Sequence, residues 1–183
     1  MSRNLFADPR LRYHLAGQYT DELFSERPDY CDFTPWMPLS GPWREAVRNP
    51  DGTSRPISEF CGVYLLAMTD GSPLDGRGDP FHDAVVYIGR TRTATLYSRW
   101  TKLKAAVRYG KGHSGGNTLH ARHVVAGRAE QVMGRLWISG FPVGFSEGQP
   151  KISFRTDLLE SLLVDVVHSH RLQLGLPELL NKP

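Results

Sequence analysis

The sequence predicts an α/β (α+β) chain, a small antiparallel β-sheet flanked by helices, and three observations carry that expectation. Residues 62–67 (Gly-Val-Tyr-Leu-Leu-Ala) and 84–89 (Ala-Val-Val-Tyr-Ile-Gly) are short apolar runs of strand character, the second β-branched. Leu96, Trp100, Leu103 and Val107 recur at helical spacing. Towards the C-terminus, Leu158, Leu159, Leu162, Leu163, Val166 and Val167 fall on one broad arc at about 100° per residue.

Residues 1–57 differ in composition and are expected to pack on, or extend, a core domain of residues 58–183. They hold seven of the 13 prolines. Proline fixes φ and lacks an N–H donor, so long regular elements are not expected there. Short helices are expected near 20–25 and 42–47. Trp36 and Trp43 are read as anchors onto the core, base stacking being their other use. Within the core, 69–83 is rich in Gly, Pro and Asp and reads as a loop, which makes the two strands a hairpin with a long connection. A helix follows over 95–109, broken by the glycine-rich 110–116. A second helix is predicted over 117–125, a third strand over 131–139 and a final helix over 156–174, closed by Gly175 and Pro177.

Composition bounds the function only loosely. A net charge of +3 and a pI near 9.0 permit a polyanionic partner without requiring one. Cys31 and Cys61 have no paired spacing, so neither a disulfide framework nor a zinc site follows. The first 15 residues interleave Arg3, Asp8, Arg10 and Arg12 with apolar residues, unlike a signal peptide, and no apolar run reaches membrane-spanning length. A reducing, cytoplasmic setting without a membrane partner is the expectation.

The motifs are sharper. A Gly-Val-Tyr triad at 62–64 precedes a Tyr-Ile-Gly triad at 87–89, and Arg99, Glu160 and Asn181 follow in order. Each triad alone is weak, because tyrosines in apolar strands are commonly structural. The ordered set Tyr64, Tyr87, Arg99, Glu160 and Asn181 resembles the GIY-YIG nuclease superfamily, loosely nearer its restriction-enzyme branch than its repair branch, over roughly 61–181. The resemblance implies a GIY-YIG-like fold, hydrolase activity as an endonuclease, Mg²⁺ or Mn²⁺ as cofactor and double-stranded DNA as partner. It implies that Glu160 is the metal ligand, Tyr64 the base, Tyr87 its positioning partner, Arg99 the phosphate clamp and Asn181 a group bonding backbone or phosphate. Helix geometry agrees independently: Glu160 sits at the border of the C-terminal apolar arc, and Arg99 beside the stripe of Leu96, Trp100 and Val107. A partly buried arginine needs an acceptor or an anion.

The sequence departs from the family in three ways. The loop between the triads is long, and Arg99 lies ten residues beyond Gly89. Leu103 stands where many members carry a His or Tyr, one turn after the arginine. His113 and His120 are candidates to take over that role.

Other motifs compete poorly. Residues 112–116 match the G-x-S-x-G elbow, with Asp165 and His168 following in order, but a basic helix precedes them where the elbow needs a strand. His120 and His123 could share a helix face, yet no third convergent ligand is visible. From 90 to 111 the chain carries Arg90, Arg92, Arg99, Lys102, Lys104, Arg108 and Lys111 with no acidic residue between. Beside a phosphodiesterase site, that cluster, with His113, reads as a nucleic-acid groove. A homodimer is expected for symmetric double-strand cleavage. The rival reading is a nucleic-acid-binding module that keeps the fold and has lost catalysis.

Overall fold

The computed structural model describes residues 9–12, 32–48, 53–124, 127–145 and 150–181. The helix expected near 20–25, and Cys31, lie outside them. The described elements are α1 (Pro9–Arg12), β1 (Met37–Pro38), β2 (Ala46–Arg48), β3 (Ser54–Pro56), β4 (Phe60–Met68), β5 (Val85–Thr91), α2 (Leu96–Tyr109), α3 (Ser114–His123), α4 (Ala129–Met133), β6 (Leu136–Phe145) and α5 (Pro150–Gln173). A 3₁₀ turn, Ile57–Glu59, leads into β4.

Four strands form one antiparallel sheet in the order β1-β6-β4-β5, and β2 pairs with β3 separately. Because side chains alternate along a strand, β4 serves both faces of the sheet. Tyr64 and Leu66 point into one core layer with Leu96, Trp100, Leu103 and Val107 of α2 and Leu119 of α3. Cys61, Val63, Leu65 and Ala67 point into the other, against Leu159, Leu163, Val166 and Val167 of α5. Both layers are needed, which is why β4 reads as a continuous apolar run with no polar alternation.

Residues 32–48 of the N-terminal segment are built into this core. Trp36 and Trp43 are buried in opposite layers, as anchors. Met37 pairs with Ile138, and the Thr34 N–H donates to the Gly140 carbonyl at 2.9 Å. The long loop is pinned by the same segment: the Trp36 N–H donates to the Gly76 carbonyl, and Arg77 donates to the Phe33 carbonyl at 2.9 Å.

Three expectations fail. Residues 42–47 form no helix, because Ala46–Arg48 pairs with Ser54–Pro56 and buries Val47. The third strand starts later and runs further than 131–139. Val132 and Met133 instead bury from the short helix α4, and β6 continues through Gly140 and Pro142, two residues that argue against strand. Gly140 is admitted because Ile57 and Trp100 stand where its Cβ would be, at 2.9 and 3.1 Å. Pro142 falls at a register shift, opposite Gly62. Finally, Ser114, Gly115 and Gly116 belong to helix α3 and not to a flexible break.

The glycine of the second triad has a steric cause. Tyr64 pairs with Gly89 in the β4–β5 register, and a Cβ there would overlap the Tyr64 Cζ and hydroxyl and stand 2.6 Å from Tyr87 Cε1. Both rings are rigid and enclosed, so neither can step aside cheaply. Gly89→Ala is therefore expected to lower unfolding stability by about 1–3 kcal/mol, read as a lower urea midpoint with an unchanged slope. A midpoint equal to wild type would mean the two rings have room to move.

Candidate active site

The edge strand β5, the helix α2 on one face of the sheet and the helix α5 on the other bring the predicted residues to one place. Tyr64 and Tyr87 lie on the same sheet face from adjacent strands, their ring centroids 6.1 Å apart. Tyr64 is fully enclosed, and its hydroxyl is 2.8 Å from His113 Nε2. Tyr87 lines an opening of about 460 Å³ together with Arg90, Ser114, Glu160 and Asn181. A second opening of similar size adjoins it, lined by Arg90, Arg92, Ser98, Arg99, Lys102 and Glu160. Glu160 and Arg90 belong to both. Although α5 packs on the other face of the sheet, Glu160 lines one opening with Arg99 and the other with Tyr87, beside Arg90 near the end of β5.

His113 enters this site from the N-terminus of α3. The Gly116 N–H donates to His113 Nδ1 at 3.3 Å as the helix cap. An accepting Nδ1 carries no proton, so the neutral ring bears it on Nε2 and donates it to the Tyr64 oxygen. Burial first, then the Arg99 charge, lowers this imidazole from its ordinary 6.5 to about 3. The Tyr64 phenol is raised well above its ordinary value, by burial first and then by Tyr87, against the opposing pull of Arg99. Gly115 lets α3 approach closely: a Cβ there would stand 2.8 Å from the Tyr87 ring.

Arg99 is half-buried, and its Nε is shielded from solvent with no hydrogen-bond partner. Among the described residues it forms no ion pair with a carboxylate. Glu160 is occupied differently: Arg90 Nη1 donates to its Oε2. Arg90 Nε and Arg92 Nε both stand 2.8 Å from Asp157 Oδ1, one turn earlier on α5. Burial raises the Glu160 carboxyl, with Arg90 opposing and Asp157 adding to the rise.

Asn181 spends its whole amide on the strand backbone. It accepts from the Ile88 N–H at 3.0 Å and donates to the Ile88 carbonyl at 2.6 Å, while the Leu180 N–H donates to the Val86 carbonyl. It closes the open side of β5, the backbone alternative foreseen for it.

The basic cluster divides. Arg90, Arg92, Arg99 and Lys102 face the two openings. Lys104 and Arg108 are on the far side of α2, where Lys104 donates to the Ser40 carbonyl at 2.6 Å and Arg108 makes two bonds to Glu130. Lys111 is exposed in the turn after α2. His113, expected as a nucleic-acid contact, is an interior group with both ring nitrogens engaged. His120, the other candidate, bonds the Val107 carbonyl at 2.8 Å and holds α3 against α2. The sequence reading missed Arg90 and Arg92 as partners of Asp157 and Glu160. The signal available was an i,i+3 acidic pair on the border of an apolar arc, with two arginines just beyond a strand.

Among the described residues, no group of three or more His, Cys, Asp or Glu side chains is placed to hold a metal ion, and no helix is long and apolar enough to cross a membrane. No family model, curated protein or solved structure matches the chain.

The depressed His113 makes stability depend on pH. Below 6.5 the unfolded chain takes up a proton at this position that the folded chain refuses until about pH 3. Stability from this group is complete above the unfolded value and is lost as pH falls through that window. Between pH 7 and pH 5 the loss is expected to be about 2 kcal/mol. Urea unfolding of wild type and His113→Asn at both pH values checks this, since the variant keeps a capping oxygen and lacks the titration. Equal pH dependence in the two proteins would refute it.

Proposed function

We propose that this chain is a GIY-YIG-type endonuclease that hydrolyses phosphodiester bonds, in DNA, with Mg²⁺ or Mn²⁺. The observation that carries the reading is Glu160 standing between Arg99 in one opening and Tyr87 in the other. The carboxylate shared by the two adjoining openings then has a cation with an unused donor on one side and a phenol on the other, and a phosphate spanning both would meet all three.

The residues fit a hydrated divalent cation. Mg²⁺ is commonly bound by one or two carboxylates while keeping several waters, and Glu160 is a single hard oxygen donor bordering two open spaces. The bound ion would supply charge neutralisation at the phosphoryl oxygens and a more acidic water. Every other role falls to the chain itself. Arg99 donates a fixed planar fork to the phosphate, which satisfies its buried Nε. Tyr87 is the phenol at the opening, in reach of an entering water. Tyr64 stands behind it, held by the His113 Nε2–H and keeping its own proton. This exchanges the roles expected of the two tyrosines, because a wholly enclosed phenol meets no water. Arg90 holds the Glu160 carboxylate while the phosphate is absent and turns to the phosphate when it enters. Asn181 positions β5 and touches no substrate.

The Arg90–Glu160 pair also favours a second reading, a nucleic-acid-binding module in which the carboxylate is permanently occupied. One experiment separates the two. Supercoiled plasmid is incubated with wild type and with Glu160→Gln, in Mg²⁺ and in chelator, alongside duplex binding in chelator. The expected outcome is a loss of cleavage of at least about 100-fold in the variant, with folding and affinity retained. Full Mg²⁺-dependent cleavage by Glu160→Gln would sink the assignment, and a wild type that binds without ever cutting would establish the second reading.

The division of the basic residues generates its own expectation. Charge reversal at Arg92 and Lys102 should each lower the log–log salt slope of duplex binding by about 0.9. Reversal at Lys104 and Arg108 should leave that slope in place. Equal effects from both pairs would show that duplex DNA does not select the face bearing Arg99.

A further inference from the structure

Across α2 from Arg99 lies a groove of about 810 Å³ that the proposed chemistry does not use. Its long wall is one stripe of α2 carrying Tyr97, Thr101, Lys104, Ala105, Arg108 and Tyr109. The opposite wall is Ser40–Arg44 with Pro56 and Ser58. Tyr97 and Tyr109 are 58% and 73% exposed, against the general burial of aromatic rings in this chain. They are twelve positions apart, about 18 Å along the helix axis at 1.5 Å per residue.

The base of the groove is rigid. The Trp43 ring meets Trp100 edge-on at 5.5 Å and Tyr97 at 5.7 Å, and its Nε1–H donates to the Pro38 carbonyl. Lys104 Nζ lies 5.9 Å over the same ring. Tyr97 is thus held at one edge with its remaining surface in water. Apart from the tyrosines, every ionisable side chain lining the groove is cationic: Arg44, Lys104 and Arg108. Glu130, outside the lining, is tied to Arg108 by both oxygens.

Exposed flat rings along a cationic groove, with no carboxylate in its lining, fit a polyanion that itself carries flat rings. We propose that this groove binds a single-stranded nucleic-acid segment, its bases stacking on Tyr97 and Tyr109 and its phosphates passing Arg44 and Lys104. At about 3.4 Å per stacked nucleotide, the distance between the two tyrosines suits about five nucleotides. A duplex does not fit this description, because its bases are already stacked on one another. The inference deepens the nuclease reading by giving the same class of substrate a second contact, on the side of α2 away from Glu160, so the two sites report independently.

The test is fluorescence anisotropy of a labelled ten-nucleotide oligothymidine with the full chain in chelator, where nothing is cut. Tyr97→Ala and Tyr109→Ala should each weaken binding by about fivefold to a hundredfold, Tyr97→Phe and Tyr109→Phe should bind within about twofold of wild type, and Arg44→Glu should lower the salt dependence. All five side-chain changes are at exposed positions, and unchanged thermal melting verifies the fold. A wild-type protein that cleaves nothing in Mg²⁺ but binds the oligonucleotide in this pattern overturns the nuclease reading and upholds the groove. Alanine variants that bind as tightly as wild type overturn the proposal. So does an oligonucleotide that fails to bind while duplex does, or a dimer in sedimentation that the alanine variants abolish, which would make the groove a contact between copies.

Discussion

The Tyr64 ring occupies the space that a side chain at position 89 would need, and most of the candidate site follows from that exclusion. With no Cβ at Gly89, the phenol passes across the neighbouring strand and lies under Tyr87. There it is closed off from water, so its hydroxyl must find partners inside the protein. His113 supplies one at 2.8 Å. That bond in turn requires the N-terminus of α3 to sit close by, which Gly115 permits against the Tyr87 ring and Gly116 against Leu103 and Ala106 of α2. One steric vacancy in the edge strand thereby orders two tyrosines, a histidine tautomer and a helix terminus.

Charge is arranged around the same strand by a different rule. Glu160 and Asp157 leave the polar border of α5 half-buried, where an unpaired carboxylate is costly. Arg90 and Arg92, at the end of β5, satisfy them. Among the described residues, Arg99 is left with a buried donor and no acid. The site therefore keeps a paired carboxylate beside a cation with a spare buried donor.

The fold makes these contacts by sandwiching a small sheet between unlike layers. One layer holds α2 and α3, whose inner stripe is aliphatic around Trp100 and whose two flanks carry different basic groups. The other holds α5, whose apolar arc leaves only its border residues near the sheet edge. The edge itself stays narrow because Leu180 and Asn181 pair with the outer side of β5 through Val86 and Ile88. An amide side chain can imitate a strand in this way because it offers one donor and one acceptor in a plane. Asn181, which helps to close that edge, also lines the opening shared by Tyr87 and Glu160.

Much of this was legible in the residues alone. Strands β4 and β5, helix α2 and the long C-terminal helix follow from β-branched runs and from apolar spacing, which are local properties of the chain. So does the position of Glu160 at the border of an apolar arc. The order of Tyr64, Tyr87, Arg99, Glu160 and Asn181 pointed to a set, and strand alternation put Tyr87 on the face of Gly89, leaving the β4–β5 register to decide that Tyr64 shares it. What local pattern could not decide was anything settled by contact between distant segments. Gly140 and Pro142 lie in a strand because Trp100 and a register shift accept them. Residues 114–116 are helical because His113 caps them while bonding Tyr64, 49 positions earlier. The basic run from 90 to 111 looks like one patch in one dimension, yet a helix turns through about 100° per residue. That rotation, together with the packing of α2 on the sheet, puts Arg99 and Lys102 on one side and Lys104 and Arg108 on the other.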